Sequence, residues 1–215
     1  ESKCQKLNRR FFSFHQKKRP YVILKWAESL DGFMAPKETH KKYWLTDPLS
    51  KQRVHQWRSQ EQSIMIGLQT VLNDNPKLNT RLWKGKNPLA VVIDPKQKLS
   101  STKVDFNLNV RELLSIKNQN QEDKTDYLPL KAQEILDQLY NNNLQSVIIE
   151  GGSKTLQCFI DAGLWDEARI FITKDKLGAG LKGPLINRDI THSTSKIKSD
   201  TLITLYKDSM VSSKR

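Results

Sequence analysis

The sequence predicts an α/β protein with a mostly parallel central sheet, helices on both faces and an antiparallel strand at the C-terminal edge. Three observations carry that reading. Short, near-continuously apolar runs recur along the chain, as in parallel strands buried on both faces. Helical patterns lie between these runs, so strand and helix alternate. The last run, Thr201-Leu202-Ile203-Thr204-Leu205-Tyr206, instead alternates apolar and polar residues, which marks an antiparallel strand with one solvated face.

Taken in order, residues 1–19 are basic, begin helically and carry Phe11, Phe12 and Phe14. They read as a lead-in segment that packs on something else and stops at Pro20, with the main domain over 20–215. Tyr21-Val22-Ile23-Leu24-Lys25-Trp26-Ala27 is a strong strand interrupted by one lysine. Such a lysine either finds a partner, shifts its pKa, or stands in solvent at a sheet margin. Residues 33–43 read as a loop containing Pro36 and His40. Thr46 or Asp47 then caps a helix with Pro48 in its first turn, carrying Leu49, Val54 and Trp57 inward and ending near Gln62.

Ser63-Ile64-Met65-Ile66-Gly67 is the second buried strand, and Thr70 to Pro76 a short helix and turn. Leu89 to Ile93 is the third core strand, while 96–128 is polar and irregular with one weak strand near Val104-Asp105-Phe106. Lys131 to Leu144 is an amphipathic helix with Ile135, Leu136, Leu139 and Tyr140 on its apolar face. Ser146 to Ile149 is a strand that runs into Glu150-Gly151-Gly152, with Ser153 as N-cap of a helix through Leu156, Phe159, Ile160 and Leu164. Glycine lets backbone approach a ligand and a helix N-terminus binds phosphate, although two glycines before a helix also make a plain tight turn. Glu167 to Thr173 is the next strand, and 176–184 a loop punctuated by glycine.

A length of 215 residues fits one ordinary domain with a small appendage. No apolar run approaches the ~20 residues of a membrane span. The start, Glu1-Ser2-Lys3-Cys4, has no apolar leader and no initiator methionine, and reads as the interior of a longer or processed chain. Cys4 and Cys158 lie far apart without metal-ligand spacing, so no metal site is expected and the cytoplasm is the expected compartment. The net charge of +13 raises a nucleic-acid-binding module as a competing class. No aromatic RNA-binding signature or continuous basic helix face accompanies it, so the charge reads as a solubilising surface that also draws phosphorylated small molecules. Nucleic acid and membrane are therefore not expected as partners. His40, His55 and His192 have no partner at catalytic spacing and read as surface residues; Trp57 reads as core, Asp31 equally as a turn former or a ligand, and Asp47 as a cap.

Ligands gather at the carboxyl ends of strands in an open α/β sheet. The loops there carry Lys25 and Asp31-Gly32; Trp44, Thr46 and Arg58; Thr70, Asp74 and Arg81; and Glu150-Gly151-Gly152. An amine, two guanidiniums, carboxylates and a phosphate cradle suit a phosphorylated sugar beside a nucleotide cofactor. Lys25-Trp26-Ala27-Glu28-Ser29-Leu30-Asp31-Gly32, Trp44-Leu45-Thr46, the block Thr70-Val71-Leu72-Asn73-Asp74-Asn75-Pro76-Lys77-Leu78-Asn79-Thr80-Arg81, and Glu150-Gly151-Gly152 resemble the reductase domain of the bifunctional riboflavin-biosynthesis deaminase/reductase. The resemblance spans about residues 20–206, and the lead-in is similar to the tail of the preceding deaminase domain. That domain's zinc signature is absent, so deamination is not expected of this chain.

The resemblance implies a fold similar to dihydrofolate reductase, a homodimer, and NADPH-dependent reduction of 5-amino-6-(5-phosphoribosylamino)uracil to the ribityl product. Carried over by position, Arg58, Leu78 and Arg81 match substrate contacts, the arginines toward the ribose phosphate. Glu150 matches another, to orient the uracil or relay a proton, and Lys25 matches a lysine near the reacting carbon. Ala27, Trp44, Thr70 and Asp74 match cofactor contacts, and Gly151, Gly152, Ser153, Lys154 and Thr155 through Cys158 the segment under the pyrophosphate. Two departures stand out. Lys42 occupies a place where a small hydroxyl residue is common, from which it still reaches phosphate. Pro95, followed by Lys96 and Lys98, stands where Ser or Thr often meets the adenosine 2′-phosphate. A pteridine reductase of the same fold and a non-catalytic assembly domain are the competing readings.

Overall fold

β1 (Tyr21–Glu28) runs through the middle of the sheet, flanked in parallel by β6 (Ser146–Ile149) and β7 (Glu167–Ile172). Outward from β6 lie β3 (Ser63–Gly67), β4 (Leu89–Ile93) and β5 (Leu113–Ile116), all parallel. On the other side the sheet turns antiparallel, with β10 (Asp200–Tyr206) against β7 and β9 (Thr191–Ile197) outermost. β2 (Phe33–Pro36) and β8 (Gly180–Lys182) form a separate two-stranded ribbon. This computed structural model describes residues 3–37, 45–96, 98–101, 113–116, 131–189 and 191–207. The weak strand expected near Val104-Asp105-Phe106 and His40 lie outside the described residues.

Strand alternation divides the apolar residues between two faces. Val22, Leu24 and Trp26 of β1, with Val147 and Ile149 of β6, pack on α5 (Ala132–Asn141) and α6 (Ser153–Asp161) through Ile135, Leu136, Leu139, Leu156 and Phe159. The opposite face meets α3 (Pro48–Gln60), where Trp57 covers Tyr21, Ile23 and Ile148 while Val54 packs on Phe171 and Leu202. On the same side Val71 of α4 (Leu68–Asp74) and Leu78 join Ile64, Ile66, Ala90 and Val92. Helices therefore cover both faces, and all five central parallel strands sit where the apolar runs put them.

The stretch 96–128, expected to be irregular, supplies β5, an apolar parallel strand whose Ile116 is buried. The structure adds three further strands that carry no apolar periodicity. β9, Thr-His-Ser-Thr-Ser-Lys-Ile, pairs with β10 and is the true antiparallel edge; its polar sequence blunts an exposed edge. β2 and β8 fall in the two stretches expected to be loops. Asp47 caps α3 by accepting from Leu49 N at 2.9 Å, with Pro48 in the first turn. Leu49, expected inward, is 44% exposed because it lies in that first turn, beyond the sheet.

The lead-in forms α1 (Lys3–Leu7) and α2 (Arg9–Gln16), and it packs on the main domain itself. Phe14 is buried against Tyr140, ring centroids 4.7 Å apart, and Arg10 forks onto Glu61. Arg19 donates to both oxygens of Asp166 at 2.5 and 2.7 Å, and Lys17 Nζ and Val22 N donate to the same carboxylate at 3.0 and 2.9 Å. Burial opposes ionisation of Asp166, but the bond and charge of Arg19 outweigh it and lower its pKa. Asp166→Ala leaves the buried Arg19 unpaired, so we expect a loss of about 3–5 kcal/mol, read as a lower urea midpoint. An unchanged midpoint removes the lead-in from the stability of the domain.

Candidate functional site

Lys25 lies on the α3 face of β1, one step past the Leu24–Ile149 register pair, so Glu150, the residue just after β6, falls beside it. Glu150 N donates to Met65 O at 2.9 Å, extending the ladder toward β3 and holding the residue at the carboxyl end of the sheet. Arg58, in the last turn of α3, donates from Nε and Nη2 to the two oxygens of Glu150 at 3.1 and 2.8 Å. Lys25 Nζ stands 3.6 Å from Glu150 Oε2 and 6.0 Å from the centre of the Phe171 ring. Residues 25, 58 and 150, far apart in sequence, thus form one partly sealed ion cluster.

Burial opposes the charge on Glu150, yet Arg58 and then Lys25 outweigh that cost and hold its carboxyl at about 2. Burial also lowers the pKa of Lys25, with the charge of Glu150 working in the other direction and that of Arg58 adding to the lowering. An amine eased toward proton loss beside a fixed carboxylate is suited to giving up and regaining a proton. Arg58 further donates from Nη1 to the carbonyl of Asn79 at 3.2 Å, so much of its guanidinium serves to hold Glu150 and this loop.

Arg81 occupies the rim. It is exposed and donates from Nη1 to Asn79 Oδ1 at 3.0 Å, so Asn79 ties both arginines to one loop. Thr80 N and Oγ1 both donate to Asn87 Oδ1, at 2.9 and 2.8 Å, which closes the loop behind Arg81. Leu78 has a φ of +46°, a left-handed conformation costly for leucine, and its side chain is buried in the core beside Val71. Any ligand contact at that position therefore comes from backbone.

Beside the ion cluster, the turn Gly151-Gly152 opens α6. Gly152 is the N-cap and its helix start has no side-chain cap bond, so Ser153, expected as the cap, is the first helical residue instead. A Cβ on Gly151 would stand 2.8 Å from Thr155 Cβ, and one on Gly67 3.2 Å from Thr155 Oγ1. A Cβ on Gly152 meets only Thr70 Oγ1, at 3.8 Å. The strand ends of β3 and β6 thus approach α6 closely enough that side chains are excluded, and uncapped N–H groups are left at a glycine turn. That donor set fits the pyrophosphate of a dinucleotide. Thr70 borders the turn, Asp74 is exposed at the end of α4, Ala27 sits on β1 opposite Phe171, and Lys154 is exposed on α6. Lys42 and Trp44 lie outside the described residues.

Sequence reasoning missed Gly67, Asn79 and above all His55. Expected on the surface, His55 is 4% exposed on α3, one turn before Arg58, and its Nδ1 has no hydrogen-bond partner. The i, i+3 spacing to Arg58 was the available signal. His192 is exposed, as expected, with its ring against Tyr206. Burial, then the charges of Arg58 and Arg81, lower the His55 pKa to about 4. A folded-state pKa below the ordinary 6.5 makes His55 stabilising above that pH, and the contribution is lost as pH falls toward about 4. We expect the urea midpoint to decline between pH 7 and 5, and His55→Gln to flatten that decline. An equal decline in the variant assigns the loss to other groups.

Residues 20–202 match the model of the RibD C-terminal domain. The chain is 31% identical to the riboflavin biosynthesis protein RibD of Aquifex aeolicus, in a match covering 100% of this chain and 63% of that protein. Among solved structures, a diaminohydroxyphosphoribosylaminopyrimidine deaminase/5-amino-6-(5-phosphoribosylamino)uracil reductase from Thermotoga maritima is 30% identical with a TM-score of 0.76, over 94% of this chain and 60% of that one. A dihydrofolate reductase from Enterococcus faecalis, complexed with NADP(H), shares the fold at 13% identity, with a TM-score of 0.55 over 86% of this chain and 95% of that one. The chain thus has the dihydrofolate-reductase-like fold and spans about three-fifths of the Aquifex and Thermotoga relatives. It belongs to the RibD C-terminal domain family.

Proposed function

We propose that the chain reduces 5-amino-6-(5-phosphoribosylamino)uracil to 5-amino-6-(5-phosphoribitylamino)uracil, with NADPH as reductant. The observation that carries this reading is the meeting of Lys25, Arg58 and Glu150 beside the uncapped glycine turn of α6. The activity for which the Thermotoga relative is named supports it. The reading includes a cytoplasmic homodimer, with residues 1–19 leading from a deaminase domain into the reductase domain.

The chemistry requires the ribosylamine ring to open, breaking the C1′–O bond as that oxygen takes a proton and the amine nitrogen gives one up, which leaves a neutral imine whose C1′ is electrophilic. Reduction then adds hydride at C1′ and a proton at the imine nitrogen, so one proton is consumed overall. When bound, the dinucleotide supplies the hydride. Ala27, Trp44, Thr70, Asp74 and Gly151 to Thr155 are the residues we give to it, with its pyrophosphate at the start of α6. Lys25 donates the proton, helped by a pKa that burial lowers. Glu150 stays ionised, orients the lysine and meets the pyrimidine, while Arg58 fixes the carboxylate. Arg81 and Lys42 receive the ribose phosphate, and the Leu78 backbone closes that end.

Turnover with the ribosylaminouracil phosphate, followed at the nicotinamide absorbance with NADPH and NADH in parallel, tests the reading. Substrate-dependent NADPH oxidation is expected, and none with either cofactor rejects it. Lys25→Met should lower kcat by about 10²–10⁴-fold with little change in KM; wild-type turnover removes Lys25 from the reaction. Arg81→Ala should raise KM by roughly 10–100-fold, the scale of a lost hydrogen bond to a charged group. Removing the substrate phosphate should then weaken wild-type binding far more than binding by Arg81→Ala, and equal losses refute the phosphate assignment.

A further inference from the structure

His55 is the one buried histidine among the described residues, and the ion cluster does not account for it. Its ring hydrogen-bonds the backbone of Asn79, but its Nδ1 has no partner and is shut off from solvent. A sealed polar nitrogen without a partner is costly, which invites a functional reason. The groups that face it are Arg58 from its own helix, Arg81 from the loop after α4, Glu150 from the end of β6 and the backbone of Asn79. The two arginines oppose a charge on the imidazole more strongly than Glu150 favours it. Glu150 is already engaged by Arg58 and Lys25, so the positive charge of Arg81 is matched by no carboxylate among the described residues.

We propose that His55 is a proton-accepting member of the phosphate end of the site: a phosphate ester bound at Arg81 brings a proton onto the imidazole, which then serves as an added cation beside the two arginines. This rests on the reading that a phosphorylated pentose occupies the site, and it deepens that reading by giving the phosphate end a pH dependence. The physical reason is linkage. A phosphate dianion cancels the positive field that keeps the ring neutral, so ligand and proton each favour the binding of the other. With no ligand the ring is neutral and Arg58 and Arg81 tolerate it. With the ligand the buried imidazole gains charge and a reason to be there. The proton comes from solvent, and no bond of the ester is broken.

The test uses the whole chain and D-ribose 5-phosphate as the probe, titrated calorimetrically at pH 6 and pH 8 in buffers of different ionisation enthalpy. The ester's own second ionisation lies near pH 6, so the readout is the difference between wild type and His55→Gln rather than the raw proton count. At pH 6 wild type should take up more protons than His55→Gln, by roughly half a proton or more, as follows if the liganded ring returns toward its ordinary pKa of about 6.5. At pH 8 both proteins should bind with similar affinity and no difference in proton count. A wild-type chain that binds the probe in an Arg81-dependent way but matches His55→Gln at pH 6 overturns the proposal and leaves the reductase reading standing. No binding of the probe to wild type at either pH defeats both. Should His55→Gln fail to fold, histidine-ring NMR titration of wild type decides: one ring that titrates abnormally low should move up by about a unit or more when the probe is added, and an unmoved ring refutes the proposal.

Discussion

Glu150 places a negative charge where the sheet and α3 leave little water, and that charge is tolerated only because Arg58 grips both oxygens while Lys25 stands 3.6 Å away. Each partner comes from a different part of the fold. Lys25 depends on β1 lying next to β6 in parallel, Arg58 on the length and direction of α3, and Glu150 on a strand that stops before its glycine turn. Removing one member of such a buried set leaves the others uncompensated, a cost of several kcal/mol. Sheet order, helix length and charge placement are therefore coupled: the arrangement that satisfies the carboxylate is also the one that leaves an amine poised for proton transfer.

The two ends of the sheet divide the work. At the amino ends, Asp166 collects Arg19, Lys17 and Val22 N, so the lead-in helices and the start of β1 share a single anchor. At the carboxyl ends, Glu150 and the α6 glycine turn face the ligand side. Asp166 lies opposite Val22 and Glu150 beside Lys25, so three residues of β1 separate these anchors, about 10 Å at the ordinary rise per residue of a strand. Both anchors are carboxylates held below their usual range by arginine, one tying the lead-in to the domain and the other at the centre of the candidate site.

Much of this architecture is legible in the sequence because parallel strands buried on both faces must be nearly all apolar. Val22 to Leu24, Ile64 to Ile66, Val91 to Ile93 and Val147 to Ile149 announce themselves, and the lysine within the first run signals a site. β9 is not legible, since an edge strand of Thr, Ser, His and Lys has no burial to impose a pattern. Ser153 has the chemistry of a cap, but the helix starts one residue earlier with Gly152 as N-cap, next to Gly151, where a Cβ would collide with Thr155. His55 escapes for a tertiary reason. A histidine in a helix of low apolar content reads as exposed, and only the loop carrying Asn79 and Arg81, folded back over α3, encloses it. The cluster itself is legible by family resemblance, whereas the sharing of labour between the two arginines is not.

That sharing has a consequence for how the molecule meets salt. Arg58 commits three of its five N–H donors to Glu150 and Asn79 inside the fold, while Arg81 stands exposed at the rim. At the ionic strength of a cell, charges in open water more than about 8 Å apart are largely screened, whereas buried neighbours are not. Counterions therefore compete with an incoming anion for Arg81 and scarcely reach the carboxylate beneath it. The rim and the interior of the candidate site are thus exposed to the surrounding electrolyte to different degrees.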